Sequence, residues 1–494
     1  MAGERAEPDR QGLVRILRRF VEHGLTVDPV LANQTEHAGS FVAQQQIVDA
    51  AHGLSAEHWN PRTAAATFGA LPLPEAAGER AAAGTLLSTA AAVASEQIGV
   101  PAVRPEHVHV AAGRFREFVA ADGFGAAVRV YLAVAAVQDY SALRFYDRMS
   151  EDDFISGEWH RPWSVHSLRD ELLAAVALGS VQLSVEEGER FVRLTEKGRA
   201  QLADLRAVLE ESGFALRQHQ LLTVSGFNAV NLEDLFREEA PDMTDLRRDF
   251  ARFAALPPGS TVLECGAGAG DNLFEGGLAE AIGAGGRFIA TDPAIAPLRR
   301  LGDRAERAGL RHISTLPAPA EALPLPDASV DAVVGTFFLQ FTVLHQAIRE
   351  ALRVTRHGGT VAFAVFNSNP AIMAPWFKDW FRPLLDLAAA FGTPQTLPLH
   401  DPGVVSAALA AAGGADLRIE RRVSRWVAAS PQGTVAHALQ AVNLFGATVE
   451  QLPWRAREEL VQQLIARGTE ICGRTNDQER TLLQPVEFVR CTKP

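Results

Sequence analysis

The sequence predicts an α/β fold whose mostly parallel sheet occupies the C-terminal half. Two segments predict it. Val262–Asp271 reads VLECGAGAGD and Phe288–Pro293 reads FIATDP. Each is a short apolar run ending in an acid, the signature of a strand buried on both faces. A third observation is the apolar run in Ser329–Thr342, SVDAVVGTFFLQFT, followed by another in Glu350–Phe366, EALRVTRHGGTVAFAVF.

The first segment begins as a strand at Thr261–Leu263 and turns at Gly266, Gly268 and Gly270, which lack a Cβ and let the backbone approach a ligand closely. A helix is expected at Asn272–Ile282, its first N–H groups aimed at the bound molecule. The next strand, Arg287–Thr291, ends in Asp292, where a βαβ unit places a carboxylate to accept two ribose hydroxyls. A dinucleotide-binding loop reads G-x-G-x-x-G, and its last Gly would fall on Asp271. A carboxylate is a poor neighbour for a pyrophosphate. Glu264 ahead of Gly-x-Gly-x-Gly instead suits a ligand with a cationic amino-acid end.

Three further segments follow in order: AEALPLP at Ala320–Pro326, the apolar strand after it, and the E-x-x-R-V helix end at Glu350–Val354 with Gly358-Gly359 before the next strand. Together these resemble the class I adenosylmethionine-dependent methyltransferases of the ubiquinone/menaquinone-biosynthesis type, over roughly residues 240–494. The resemblance implies a Rossmann-like seven-stranded sheet and S-adenosyl-L-methionine as cofactor. It implies that Glu264, Gly266, Gly268 and Gly270 hold the methionine end and that Asp292 holds the ribose. It implies further that Pro293 packs on adenine, that Ala320 and Glu321 border the adenine edge, and that Thr336 and Phe337 border the methyl group. One departure is visible: the family usually carries an Asp just before the A-E-x-L-P loop, and this chain has Pro319.

The chain divides into a helical, Ala-rich region over 1–120, a second region over 121–240, and the catalytic domain over 241–494. In the first, Trp59–Glu79 reads as a loop and Ala81–Val100 as a buried helix. In the second, Ser167–Leu178 reads as a helix, Ser180–Ser184 and Arg190–Leu194 as strands around a Glu-Glu-Gly turn, and Thr195 as the N-cap of a helix reaching about Ser212. Phe191–Leu202, FVRLTEKGRAQL, resembles the wing and following helix of winged-helix domains. Small-molecule methyltransferases often use such a domain to dimerise or to cap the substrate site, so the resemblance allows a homodimer through the N-terminal region. In the C-terminal domain, Pro402–Ala412 is expected as a helix, with strands at Leu417–Trp426 and Val486–Cys491. Interruptions at about 371–400 and 430–480 are helical and rich in aromatics, including Trp376, Phe377, Trp380 and Phe381, and are expected to form a lid.

Composition narrows the partners. Net charge is −12, and Ser167–Leu178 carries one Arg against two acids, which disfavours a phosphate-backbone ligand. Where nucleic-acid amine methyltransferases carry Asn/Asp-Pro-Pro-aromatic, Gly335–Leu339 reads GTFFL. Asn369-Pro370 reads as a turn. No apolar run reaches the roughly 18 residues of a membrane span. The N-terminus, MAGERAEPDR, is unlike a signal peptide, and three cysteines spread over the chain fit a reducing, cytoplasmic location. No Cys/His cluster has metal-site spacing, and His107-x-His109 lacks a third ligand.

Methyl transfer needs a base only when the acceptor must lose a proton. His345, just after the fourth strand, is the candidate catalytic base, with His160, His166, Tyr140 and Tyr146 as further candidates from the N-terminal half. The expected partner is a small, apolar or aromatic methyl acceptor. A cyclisation or rearrangement on the same fold, and a ligand-sensing regulator, remain open on the residues alone.

Overall fold

The computed structural model describes residues 7–23, 147–156, 179–217, 240–368, 374–391, 399–441 and 454–494, with scattered positions in 117–146, 172–177 and 220–239 and at 449 and 452. The expectations at Trp59–Glu79, Ala81–Val100, His107, His109, Tyr140, Tyr146, His160, His166 and Asn369-Pro370 lie outside the described residues. The chain divides into two compact units. One comprises Met1–Asn33, His37–Gln218 and Val449–Glu459; the other comprises Gln34–Glu36, His219–Thr448 and Leu460–Pro494.

In the first unit, α1 (Glu7–Glu22) buries Leu17 and Phe20, and the Phe20 ring meets Phe118 edge-on at 5.1 Å. β1 (Met149–Ser150) leads into α2 (Glu151–Ser156). β2 (Val181–Glu186) and β3 (Glu189–Leu194) form an antiparallel hairpin, with β1 on the other side of β3. Thr195 caps α3 (Glu196–Glu211): its Oγ1 accepts from Gly198 N at 3.0 Å and donates to Gly179 O at 2.7 Å. Hairpin and capped helix follow the local sequence signals to within two residues.

The second unit opens with α4 (Met243–Ala254) and β4 (Thr261–Cys265). The helix expected over Asn272–Ile282 is two pieces, α5 (Asp271–Phe274) and α6 (Leu278–Ile282). Gly276-Gly277 breaks it, with Gly277 in the left-handed region at φ 82°. There follow β5 (Arg287–Asp292), α7 (Ile295–Arg307), β6 (Ile313–Pro317), β7 (Val330–Thr336), a 3-10 turn at Leu339–Phe341, and α8 (Leu344–Val354). β8 runs from Thr355 to Phe366, so the expected Gly358-Gly359 turn lies inside the strand. Gly358 takes φ 73° there, beside a register shift in the β7–β8 pairing. The rest comprises α9 (Pro375–Trp380), α10 (Arg382–Phe391), α11 (Val404–Ala411), β9 (Ala415–Val427), α12 (Pro431–Ala436), α13 (Trp454–Arg474) and β10 (Thr481–Thr492).

The sheet order is β6-β5-β4-β7-β8-β10-β9, parallel except for β10, which runs antiparallel to both neighbours. Strand order reverses between β4 and β7, and in open α/β sheets the crevice beyond the carboxyl ends at such a point holds the ligand. Val262, Leu263, Val333 and Val334 are wholly buried, because helices cover both faces. One core joins Phe250 and Phe253 of α4 to Phe288 and Phe488; the other joins Ile348 and Ala351 of α8 to Val333 and Phe363. Of the interruption aromatics, Trp380 and Phe381 are wholly buried, and Trp380 Nε1 donates to Leu464 O at 2.9 Å. A Cβ on Gly468 would lie 2.2 Å from Trp380, so these side chains fasten α9 to α13.

Candidate functional site

At the switch point three buried side chains meet. Asn272 of α5 donates Nδ2 to Glu264 Oε1 at the end of β4, at 2.6 Å, and to Thr336 Oγ1 at the end of β7, also at 2.6 Å. Glu264 Oε2 and Asn272 Oδ1 are buried and hydrogen-bond to nothing. Burial pushes the Glu264 carboxyl up to about 8, against the pull of Asn272 and Arg247. Two orphaned acceptors side by side are a mismatch for a folded interior unless a donor, best a cation, enters between them.

The turn after β4 explains why sequence analysis could find it. Gly266 takes φ 67°, and a Cβ there would lie 2.5 Å from the Cβ of Phe338. Gly268 takes φ 53°, with nothing within 4 Å of a Cβ, so the loop presents open space. Its N–H donates to Asp292 Oδ2 at 2.8 Å, while Ala294 N donates to Oδ1 at 2.8 Å. Each carboxylate oxygen keeps lone-pair capacity for a hydroxyl. Pro293 follows directly, and Thr291 Oγ1 ties β5 to the Glu264 carbonyl at 2.8 Å. Gly270 ends the turn with φ 93°. Outside the loop, Arg304 of α7 donates to Ala269 O at 2.9 Å and pairs with Glu275 at 2.6 Å. Arg247 of α4 pairs with Asp271 at 2.8 Å.

The Ala320–Pro326 loop is held from α8. Arg353 donates to Leu323 O and Leu325 O, both at 2.8 Å, and pairs with Glu350 and Asp327, contacts that raise its pKa. Glu350 accepts from Leu323 N at 2.8 Å. The E-x-x-R spacing thus puts acid and base one turn apart on a helix to clamp a loop. Ala320 and Glu321 are buried, and Glu321 Oε1 accepts from Val343 N at 2.9 Å. Pro319, the departure from the family pattern, offers its carbonyl to Ala322 N at 3.1 Å.

Beyond Thr336, Phe337 adopts φ 57°, rare for an aromatic residue, and its N–H donates to Ala364 O at 2.8 Å. Its ring stacks on Phe366 with centroids 4.0 Å apart, and Phe366 meets Trp426 edge-on at 5.8 Å. These rings give the carboxyl ends of β7, β8 and β9 an apolar wall. His345 is exposed on the first turn of α8. Cys265 is buried, and burial pushes its thiol up to about 12, so it is no nucleophile at neutral pH.

Asn272, Arg304 and His400 do not stand out in the sequence. Asn272 lies one residue beyond the quoted Gly-rich segment. Arg304 carries no motif. His400 lies at the end of an interruption, where only the fold brings it to the sheet. Among the described residues there is no group of three or more His, Cys, Asp or Glu side chains that could hold a metal ion, and no helix long and apolar enough to cross a membrane.

Residues 263–363 match the family model described as "Methyltransferase domain". The ubiquinone/menaquinone biosynthesis C-methyltransferase of Xanthomonas campestris pv. campestris is 33% identical over 145 residues, which are 28% of this chain and 53% of that protein. The malonyl-[acyl-carrier protein] O-methyltransferase of Methylococcus capsulatus is 39% identical over 112 residues, 22% of this chain and 39% of that protein. The aklanonic acid methyltransferase of a Streptomyces species is 31% identical over 150 residues, 29% of this chain and 61% of that protein. The chain spans about half the length of the curated relatives it matches. Family match, strand order and buried carboxylates fall on one stretch, and over residues 263–363 the chain is similar to methyltransferase domains.

Proposed function

We propose that the chain transfers a methyl group from adenosylmethionine to a small apolar or aromatic acceptor. The observation that carries this reading is the orphaned acceptor pair, Glu264 Oε2 and Asn272 Oδ1, buried at the switch point beside the open Gly268 turn. The donor supplies an electrophilic methyl on a sulfonium and leaves as a neutral thioether.

Glu264 and Asn272 accept the ammonium of the methionine end, while Gly266, Gly268 and Gly270 let the main chain pass close beneath it. Asp292 accepts the ribose hydroxyls, Pro293 packs on adenine, and the loop at Ala320 and Glu321 borders its edge. Thr336 and Phe337 stand at the methyl. The Phe337–Phe366–Trp426 rings exclude water and receive a flat acceptor, which supports the aromatic class. Incubating the full chain with adenosylmethionine and a set of small aromatic metabolites, with product mass as readout, tests this. A gain of one CH₂ is expected; an isomer of unchanged mass would replace methyl transfer by a rearrangement.

A further inference from the structure

His400 stands where the chain returns to the sheet ahead of α11. Its main chain bridges to Asn367 in parallel, immediately beyond the carboxyl end of β8. Its carbonyl accepts from Ser368 N at 3.0 Å and from Asn367 Nδ2 at 3.2 Å. Asn367 is itself wholly enclosed: it donates its N–H to Pro485 O at 3.0 Å, and its carbonyl accepts from Gln484 Nε2 at 2.6 Å. The His400 backbone is therefore fixed to the end of β8.

The ring reaches in the other direction. It approaches the backbone at Leu339, in the turn that follows β7, which raises its pKa against the larger effect of burial. The imidazole thus links the carboxyl ends of two adjacent parallel strands, three residues along the chain from Thr336. Nε2 is buried and has no hydrogen-bond partner. In the tautomer that carries its proton on Nδ1, Nε2 keeps its lone pair. A buried lone pair without a donor needs a reason, and an incoming hydroxyl is one.

We propose that His400 Nε2 takes the proton from the methyl acceptor and that the acceptor is a phenol. The assignment rests on the methyl-transfer reading above. As the acceptor oxygen bonds to the methyl carbon, the carbon–sulfur bond breaks and its electron pair stays on sulfur. The hydroxyl proton passes to Nε2 and later to water. The wall of Phe337 stacked on Phe366 suits the flat ring of such an acceptor.

Burial lowers the His400 pKa, the Leu339 backbone opposing it, so the ring is neutral at neutral pH, as a base must be. The charged groups on neighbouring elements are engaged elsewhere. Asp401 accepts from Ser368, Glu487 accepts from Gly403 N at 2.9 Å and pairs with Arg421, and Glu321 accepts from Val343 N. His345, exposed on α8, has no comparable setting.

The test is methyl transfer by the full chain to 1-naphthol and 2-naphthol, with adenosylmethionine affinity measured by calorimetry on the same samples. His400→Gln is expected to lower kcat by about 100-fold or more while adenosylmethionine binds as in the parent chain. The acid limb of the kcat–pH profile, placed below the ordinary histidine range, should vanish in the variant. Added imidazole should restore part of the rate in His400→Ala, which a structural role would not allow. Should His400→Gln misfold, His400→Asn serves, with adenosylmethionine binding as the check. Unchanged kcat in a variant that binds adenosylmethionine overturns the role of His400. No turnover of either naphthol by a parent chain that binds adenosylmethionine overturns the phenol. Failure of the parent chain to bind adenosylmethionine overturns the methyl-transfer reading instead.

Discussion

The two sides of the crevice are built differently. The side proposed for the methyl donor comes from one strand–turn–helix and the next strand end: Glu264, the glycines, Asn272 and Asp292. The side proposed for the acceptor comes from four separated segments, carrying Phe337, Phe366, His400 and Trp426. Neighbouring residues must satisfy one another's backbone, so the donor side leaves a contiguous mark in the sequence. The acceptor side is assembled only when β7, β8 and, across β10, β9 take their places in the sheet, and nothing local requires its residue types. Donor binding and acceptor chemistry should therefore separate under mutation.

Gly266→Ala should break the donor side most severely. The added Cβ would meet Phe338 at 2.5 Å in a backbone conformation that L residues rarely adopt. A loss of about 3 kcal/mol is expected in denaturant unfolding, with loss of adenosylmethionine binding. Arg353→Ala should come next. It strips donors from Leu323 O and Leu325 O and frees the loop at Ala320, at a cost of about 2 kcal/mol by the same measurement. A change within about 0.5 kcal/mol would show that the loop holds its shape without the clamp.

Glu264 gives a pH test with a defined sign. Its carboxyl is raised in the folded chain from 4.5 to about 8, so the folded state retains a proton that the unfolded state loses in that window. Its contribution to stability is fully present below about 4.5 and is lost as pH rises through about 8. An ammonium placed at Oε2 favours the ionised form, so adenosylmethionine should bind more tightly as pH rises across this window, releasing a proton. Calorimetry in buffers of different ionisation enthalpy reads that release, and Glu264→Gln should abolish it. The smallest effect is expected at His345. Because its side chain is exposed on α8, His345→Ala should leave adenosylmethionine affinity and turnover near those of the parent chain. A hundredfold fall in turnover would move the base back to His345 and against His400.

Much of the sheet was legible because its central strands are buried on both faces and read as apolar runs: Thr261–Leu263 and Arg287–Thr291 fall within observed strands, as does Leu417–Trp426 in the mostly exposed edge strand β9. The misreadings were glycine positions. Gly276-Gly277 splits an otherwise helical pattern, and Gly358 sits in a strand irregularity rather than a turn. Both outcomes depend on tertiary packing. In the candidate site, Glu264 and Asp292 were legible as acids ending apolar runs. His400 was not, since a histidine before Asp401-Pro402-Gly403 looks like any loop residue until the bridge to Asn367 places it.

The most direct measurement is a calorimetric titration of the full chain and of Asp292→Ala with adenosylmethionine and adenosylhomocysteine. The parent chain should bind both one to one, and Asp292→Ala should bind each about 100-fold more weakly, since an ionised acceptor of two hydroxyls is lost. Binding of neither compound by the parent chain, or equal affinity in Asp292→Ala, would contradict a methyl-donor site at the reversal between β4 and β7.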